Sequence, residues 1–399
     1  MTALDVIYAA LATPVLACAT YLLVLSLFAH KRRVFDDGSD CTTRFDIVVP
    51  AHDEEAGIAE TVRSLRAIEY PEGLRRILVV ADNCTDQTAQ VAEAAGATVL
   101  ARFDDKLRGK GYALAHAFER VEADAAADAV VVIDADTSVS ANLLREFDRL
   151  FRKGAHAVQA DYAVRNRESS WRTRLMVIAL ALFHVLRSLG RERLGLSAGL
   201  RGNGMGFSRE VLRVVPHDAF SVVEDLEYGI KLGQAGYRVH YAANAHVYGE
   251  MVGGEKASRS QRRRWEQGRF AMVKAHGASL FWTGLRKRNA VLFDLAMDVL
   301  VPPLSWLVLA SVLGSGLGLV LHYRFGHPIG YAVPWLVSTA FIAFYVLRGW
   351  ALSGVGFRGF LDLCWAPVYI LWKVGLALSR PAHRKGEWVR TTRQEERRK

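Results

Sequence analysis

Cysteine is scarce: Cys18, Cys41, Cys84 and Cys364 are the only four among 399 residues, and no CxxC pair or other metal spacing joins them. They read as reduced packing residues, which excludes a zinc site or a disulfide framework. The dinucleotide fingerprint GxGxxG is missing from the first strand-to-helix turn, so a nicotinamide or flavin cofactor is not expected. No helix-turn-helix, zinc finger or aromatic RNA-binding motif is present, which argues against a nucleic-acid partner. Tandem repeats and low-complexity tracts are also absent. The first apolar run has neither a basic segment before it nor a small-residue cleavage site after it, unlike a removed signal peptide.

Charge is missing from long stretches. None is found between Asp5 and Lys31, between Asp298 and Arg324, or between Arg324 and Arg348. About 20 apolar residues cross a bilayer, so three spans are expected, near 6–29, 299–322 and 328–347. Lys31, Arg32 and Arg33 follow the first run, which places residue 1 outside and the chain after Arg33 in the cytoplasm. Asp362 and Lys373 interrupt the stretch Arg358–Arg380 and share one helical stripe with Arg358, Tyr369 and Arg380. That pattern predicts a helix lying in the membrane interface. The run Leu175–Leu186 is too short to span and reads as interfacial or as a buried core helix. No paired buried charge is expected in the spans, which argues against a transporter. The net charge of +10 suits anionic lipid or a phosphorylated substrate. The expected organisation is a transmembrane helix at 1–33, a cytoplasmic catalytic domain at 34–286, a membrane region at 287–380 and a basic cytoplasmic tail at 381–399.

Between the first two spans, β-rich runs at Phe45–Val49, Ile77–Val80 and Val130–Ile133 alternate with helical patterns at Ile58–Ile68, Thr85–Ala95 and Tyr112–Val121. Strand–helix–strand repeats predict an α/β domain with a parallel sheet. Each strand ends in acid: Asp53 after Pro50, then Asp82, then Asp134 and Asp136. Ligands bind outside the carboxyl ends of such strands, so the acids converge on one crevice. Acid repels a diphosphate unless a divalent cation lies between them, and carboxylates suit Mg²⁺ or Mn²⁺. Asp134 and Asp136 are the candidate metal ligands, although Asp-x-Asp also occurs in solvated turns. Asp82 is a candidate for the base or ribose, and Lys110 for phosphate. Asp225, in Glu224-Asp225, is a candidate general base for an acceptor hydroxyl; acids there also complement a helix dipole. Gln261, Arg264 and Trp265 share one helical face and offer a sugar and pyrophosphate platform. The same cluster also suits a membrane surface with a tryptophan anchor.

Taken in order, Val49-Pro50-Ala51-His52-Asp53, Ala81-Asp82-Asn83-Cys84, Asp134-Ala135-Asp136, Gly202-Asn203-Gly204, Glu224-Asp225 and the QxxRW box at Gln261–Trp265 resemble the membrane-bound family 2 glycosyltransferases. That group contains cellulose, hyaluronan and chitin-oligosaccharide synthases, and the resemblance runs from Phe45 to Phe270. It implies a GT-A, Rossmann-like fold and an inverting single displacement from a nucleotide-sugar, with UDP the expected nucleotide. By the same resemblance Asp225 is the base. Pro50, Asp53, Asp82, Lys110, Asp134, Asp136, Gln261 and Arg264 bind donor and metal. Gly202, Asn203, Glu224 and Trp265 border a saccharide or lipid-linked acceptor. The implied setting is a bacterial-type inner membrane, in cell-surface or exopolysaccharide synthesis, with a homo-oligomer or polysaccharide-export partners. Asp53 stands where Asn is common, and Ala81-Asp82-Asn83-Cys84 replaces the usual Asp-Asp-Gly-Ser. Two other readings are a polyprenyl-phosphate glycosyltransferase, against which the QxxRW box argues, and an inactive scaffold, against which Asp134, Asp136 and Asp225 argue.

Overall fold

The computed structural model describes residues 3–31, 40–168, 170–249 and 266–378. The chain divides into two compact units. Of the described residues, one holds those within Lys31–Asn166 and Leu196–Lys274; the other holds those up to His30, within Arg167–Gly195, and from Ala275 to Leu378.

The first unit is built on one sheet of 8 strands. These are β1 (Phe45–Ala51), β2 (Arg75–Asp82), β3 (Thr98–Arg102), β4 (Ala129–Val132), β5 (Ser138–Val139), β6 (Ala157–Val164), β7 (Met205–Ser208) and β8 (Val239–Gly249). Their order is β3-β2-β1-β4-β7-β6-β8-β5. The three strands expected from sequence are β1, β2 and β4, and β3 extends the same parallel run. β7 is antiparallel to both β4 and β6, so the sheet is mixed rather than wholly parallel.

Alternate residues of the parallel strands feed two cores. Ile47, Val49, Ile77, Val79, Val131 and Ile133 face one side, with Ile58, Val62 and Leu65 of the helix Ile58–Arg66. Val48, Leu78, Val80, Val130 and Val132 face the other, with Leu114, Ala117 and Val121 of the helix Lys110–Asp124. Burying each large aliphatic side chain stabilises the fold by about 1.5–3 kcal/mol. Covering both faces explains why these strands read as continuous apolar runs.

The chain passes from β1 to β2 to β3 in one direction, then crosses to β4 on the other side of β1. β4 pairs with β1 only as far as Val48↔Val132, whereas β2 follows β1 to Ala51. The carboxyl ends of β1 and β4 therefore part, opening the crevice where such sheets bind ligands. Pro50 lies beyond the pairing with β4, where a missing N–H leaves no gap in that ladder.

Among the described residues, the second unit contains four helices long and apolar enough to cross a membrane: Ile7–Phe28, Trp171–Arg193, Leu304–Phe325 and Ile329–Ser353. Three match the spans expected from sequence. The fourth encloses Leu175–Leu186, whose apolar centre alone is too short. It continues through a π-helical turn, Ala181–Leu186, into Arg187–Arg193. The expected interfacial stretch is broken into Gly356–Asp362 and Ala366–Leu378, and Asp362 pairs with Arg174 at 2.5 Å.

One expectation is corrected: this unit does hold paired buried charge. Arg191 Nη2 lies 2.7 Å from Asp298 Oδ1 and its Nε lies 3.0 Å from Asp294 Oδ2. Arg187 Nη1 reaches the same Asp298 oxygen at 3.2 Å. Tyr21 donates to Asp294 at 2.8 Å, and Arg187 donates to the Tyr345 hydroxyl at 3.0 Å. The cluster thus joins the first helix, the fourth, the helix Ala290–Leu300 and the last span. Sequence conceals it because the arginines and aspartates each flank an apolar run and meet only on folding. Gly190 permits the close approach, since a Cβ there would fall 2.5 Å from the Leu25 carbonyl oxygen.

Candidate active site

Three strand ends and two loops of the first unit build the site. Asp134 and Asp136 follow β4. Asp134 is held by its own N–H, which donates to Asn203 Oδ1 at 3.1 Å, and by Lys110, whose Nζ lies 2.5 Å from Asp134 Oδ1. Lys110 opens the helix Lys110–Asp124 and also donates to the Gly202 carbonyl. Its Nζ lies 3.9 Å from Glu224 Oε1. Burial disfavours the Lys110 cation, but Asp134, Glu224 and Asp225 outweigh it and hold the amine above the ordinary lysine value. Asp136 is exposed and reaches outward from the same turn.

Glu224 and Asp225 start the helix Glu224–Gln234. Gly202 packs against them: a Cβ there would lie 3.4 Å from Asp225 Oδ2 and 3.8 Å from Lys110 Nζ. Its φ of +78° also suits glycine. Burial raises the Asp225 carboxyl above the usual range, opposed by the Leu226 N–H, Lys110 and Arg201. Burial likewise pushes Glu224 up to about 7, with Lys110 opposing and Asp225 adding to the rise. The two carboxyls titrate as a pair. Falling pH protonates Glu224 and Asp225, removing the candidate base. The acid limb of kcat/KM is therefore expected above the ordinary carboxylate range, and Glu224→Gln should move it lower, because loss of a neighbouring negative charge eases ionisation of Asp225. Matched pH–rate profiles check this; an unmoved limb would contradict it.

Asp82 ends β2. Arg102, opposite it on β3, reaches Asp82 Oδ1 at 2.6 Å. Asp82 Oδ2 is buried with no hydrogen-bond partner among the described residues. An orphaned buried acceptor carries a desolvation cost that a ligand donor relieves. Asp53, with φ +54°, accepts from the Thr85 N–H at 2.7 Å and from its hydroxyl at 3.2 Å. It holds the turn after β2 in shape. Pro50 is buried within β1. Asn203 is buried and donates to the Thr137 hydroxyl at 2.8 Å, so its amide ties two loops together. Gln261, Arg264 and Trp265 lie outside the described residues.

Sequence reasoning missed Arg102, Thr137 and Gln159. A lone amide in the segment Ala157–Val164 is the only trace Gln159 leaves.

Asp53, Cys84 and Asp86 form the one group of three metal-type ligands in mutual reach among the described residues. Asp134 and Asp136 form a pair of oxygen donors without a third among the described residues. That set fits Mg²⁺ or Mn²⁺, which commonly take one or two carboxylates and complete their shell with substrate phosphates and water.

The model for the family described as glycosyltransferase like family 2 matches residues 43–268. The chain belongs to that family. The matched region includes every candidate site residue described above. Among curated relatives, a probable glycosyltransferase, YdaM, of Bacillus subtilis is 25% identical over 261 residues, covering 63% of this chain and 60% of the relative. A beta-monoglucosyldiacylglycerol synthase of Trichormus variabilis is 28% identical over 251 residues, covering 61% and 53%. The alignments thus span little more than half of these family 2 relatives. Among solved structures, the mannosyltransferase PcManGT of Pyrobaculum calidifontis, in complex with GDP-Man and Mn²⁺, superposes with a TM-score of 0.52 at 19% identity. The match covers 87% of this chain and 97% of that one. At that identity the likeness shows the fold, which is GT-A: a Rossmann-like sheet that turns mixed after β4.

Proposed function

We propose that this family 2 chain transfers a sugar from a nucleotide-sugar to a lipid-linked or saccharide acceptor by one inverting displacement. The observation that carries the reading is Lys110. One ammonium touches Asp134 of the Asp-x-Asp turn and lies 3.9 Å from Glu224, so donor-side and acceptor-side carboxylates face a single point. Asp225 takes the proton of the acceptor hydroxyl as its oxygen attacks the anomeric carbon, and the nucleoside diphosphate leaves from the opposite face. The orphaned Asp82 Oδ2 suits an imide N–H, which favours a uracil base and hence UDP. A divalent ion held by Asp134 and Asp136 would neutralise charge on the leaving diphosphate. The rim supports a lipid acceptor: Phe220 and Val222 are exposed just before Glu224, and Phe220 stacks on Tyr112 at 4.3 Å. A relative named as a glucosyldiacylglycerol synthase points the same way.

The proposed setting is the cytoplasmic face of a bacterial-type inner membrane, with residue 1 outside. Inside-out membrane vesicles given a panel of nucleotide-sugars should release nucleoside diphosphate only with Mg²⁺ or Mn²⁺, and right-side-out vesicles should not. Asp136→Ala should weaken donor binding by roughly tenfold or more. Full activity after EDTA treatment would sink the metal assignment, and no release from any donor would leave the scaffold reading standing.

A further inference from the structure

Gln159 is fully buried in β6, two residues before the buried Asp161, which pairs with His246. Its side chain is directed to the loop that precedes β7. Oε1 accepts from the Arg201 N–H at 2.8 Å, and Nε2 donates to the Asn203 carbonyl at 2.7 Å. One amide therefore clamps the residues on both sides of Gly202. What Gly202 and Asn203 then present is the site itself. The Gly202 carbonyl accepts a hydrogen bond from Lys110, and Asn203 Oδ1 accepts one from the Asp134 N–H. The loop has left-handed backbone at Gly202 (φ +78°) and Gly204 (φ +69°); main-chain bonds to Val132 and from Ala160 hold Gly204, while the Gln159 amide holds the two residues flanking Gly202.

From this geometry we infer that Gln159 is a positioning residue for transfer. It sets the height of the Gly202 carbonyl, and through it the place of Lys110 between Asp134 and Glu224. The inference rests on the reading of Lys110 and Asp225 as transfer machinery. An apolar side chain of the same volume would fill the space but release the loop. Lys110 would then lose one of its two closest acceptors and swing toward solvent.

Two measurements on the full-length chain in detergent test this. The first needs no activity: acetic anhydride modification of individual lysines, followed by mass spectrometry. Gln159→Met should speed modification of Lys110 about tenfold while leaving Lys231, which is paired with Asp218, within twofold. The second is a double-mutant cycle on nucleoside diphosphate release, with the donor identified by the vesicle panel. Gln159→Met should lower kcat tenfold or more with donor KM within threefold. In a Lys110→Met background it should lower kcat less than threefold further, because both changes break one connection. A merely structural role would give losses that multiply, and that result overturns the inference, as does an unchanged Lys110 modification rate. If Gln159→Met does not fold, Gln159→Glu enters the same cycle, since it keeps the bond from Arg201 but loses the one to Asn203. If the wild type releases nothing from any donor, the proposed function falls and the modification rates alone judge the positioning.

Discussion

Asp225→Asn is expected to abolish sugar transfer while leaving donor affinity within a few-fold. An amide cannot take the acceptor proton, and loss of a general base costs about 10²–10⁴ in rate. Binding is spared because Asp225 stands at the start of the helix Glu224–Gln234, on the proposed acceptor side of Lys110, while the proposed donor acids sit at the ends of β2 and β4. The fold should tolerate the change, since Asn keeps the acceptor oxygen for the Leu226 N–H, bound at 2.8 Å. Single-turnover kinetics with a titration of nucleoside diphosphate binding separates the two effects. Turnover within threefold of wild type would remove Asp225 from the mechanism, whatever the donor proves to be.

Arg191→Met is expected to destabilise the helical unit by about 3–5 kcal/mol, the usual cost of leaving a buried charge without its partner. The Arg191 side chain is 1% exposed and faces two carboxylates, Asp294 and Asp298, of which only Asp298 has a second arginine, Arg187. Among the described residues Asp294 would keep only the Tyr21 hydroxyl. Replacing the whole set with apolar residues of similar size should recover most of the loss, because the desolvation cost disappears with the charges. Thermal unfolding in lipid nanodiscs measures both. A midpoint for Arg191→Met equal to wild type would mean that the cluster is hydrated and contributes little.

The residues behind these outcomes differ in how far the sequence reveals them. The acids at the ends of β1, β2 and β4 are legible because a buried parallel strand is a short apolar run, and the residues just past its end must lie at the sheet's carboxyl edge. Asp225 is legible only with its neighbour and the resemblance, since acids at a helix start are common for dipole reasons alone. Asp53 illustrates a limit: its place after β1 marks it for the crevice, but its oxygens hold Thr85 in the folded chain.

The sequence alone determined what local chemistry and periodicity can determine: the α/β alternation, the parallel core strands with acid at their tips, and three charge-free membrane runs. A short apolar run of a doubly covered strand and the length needed to cross a bilayer are properties of single segments, so one segment suffices to read them. Tertiary structure decided what depends on two segments meeting. The antiparallel β7, the Gln159 clamp on a loop about 40 residues away, and the bridge from Lys110 to Asp134 and Glu224 arise from sheet order, which no single strand encodes. The fourth long helix and the Arg187–Arg191–Asp294–Asp298 cluster arise likewise. A charge beside an apolar run reads as its boundary until a partner about 100 residues distant makes burial affordable.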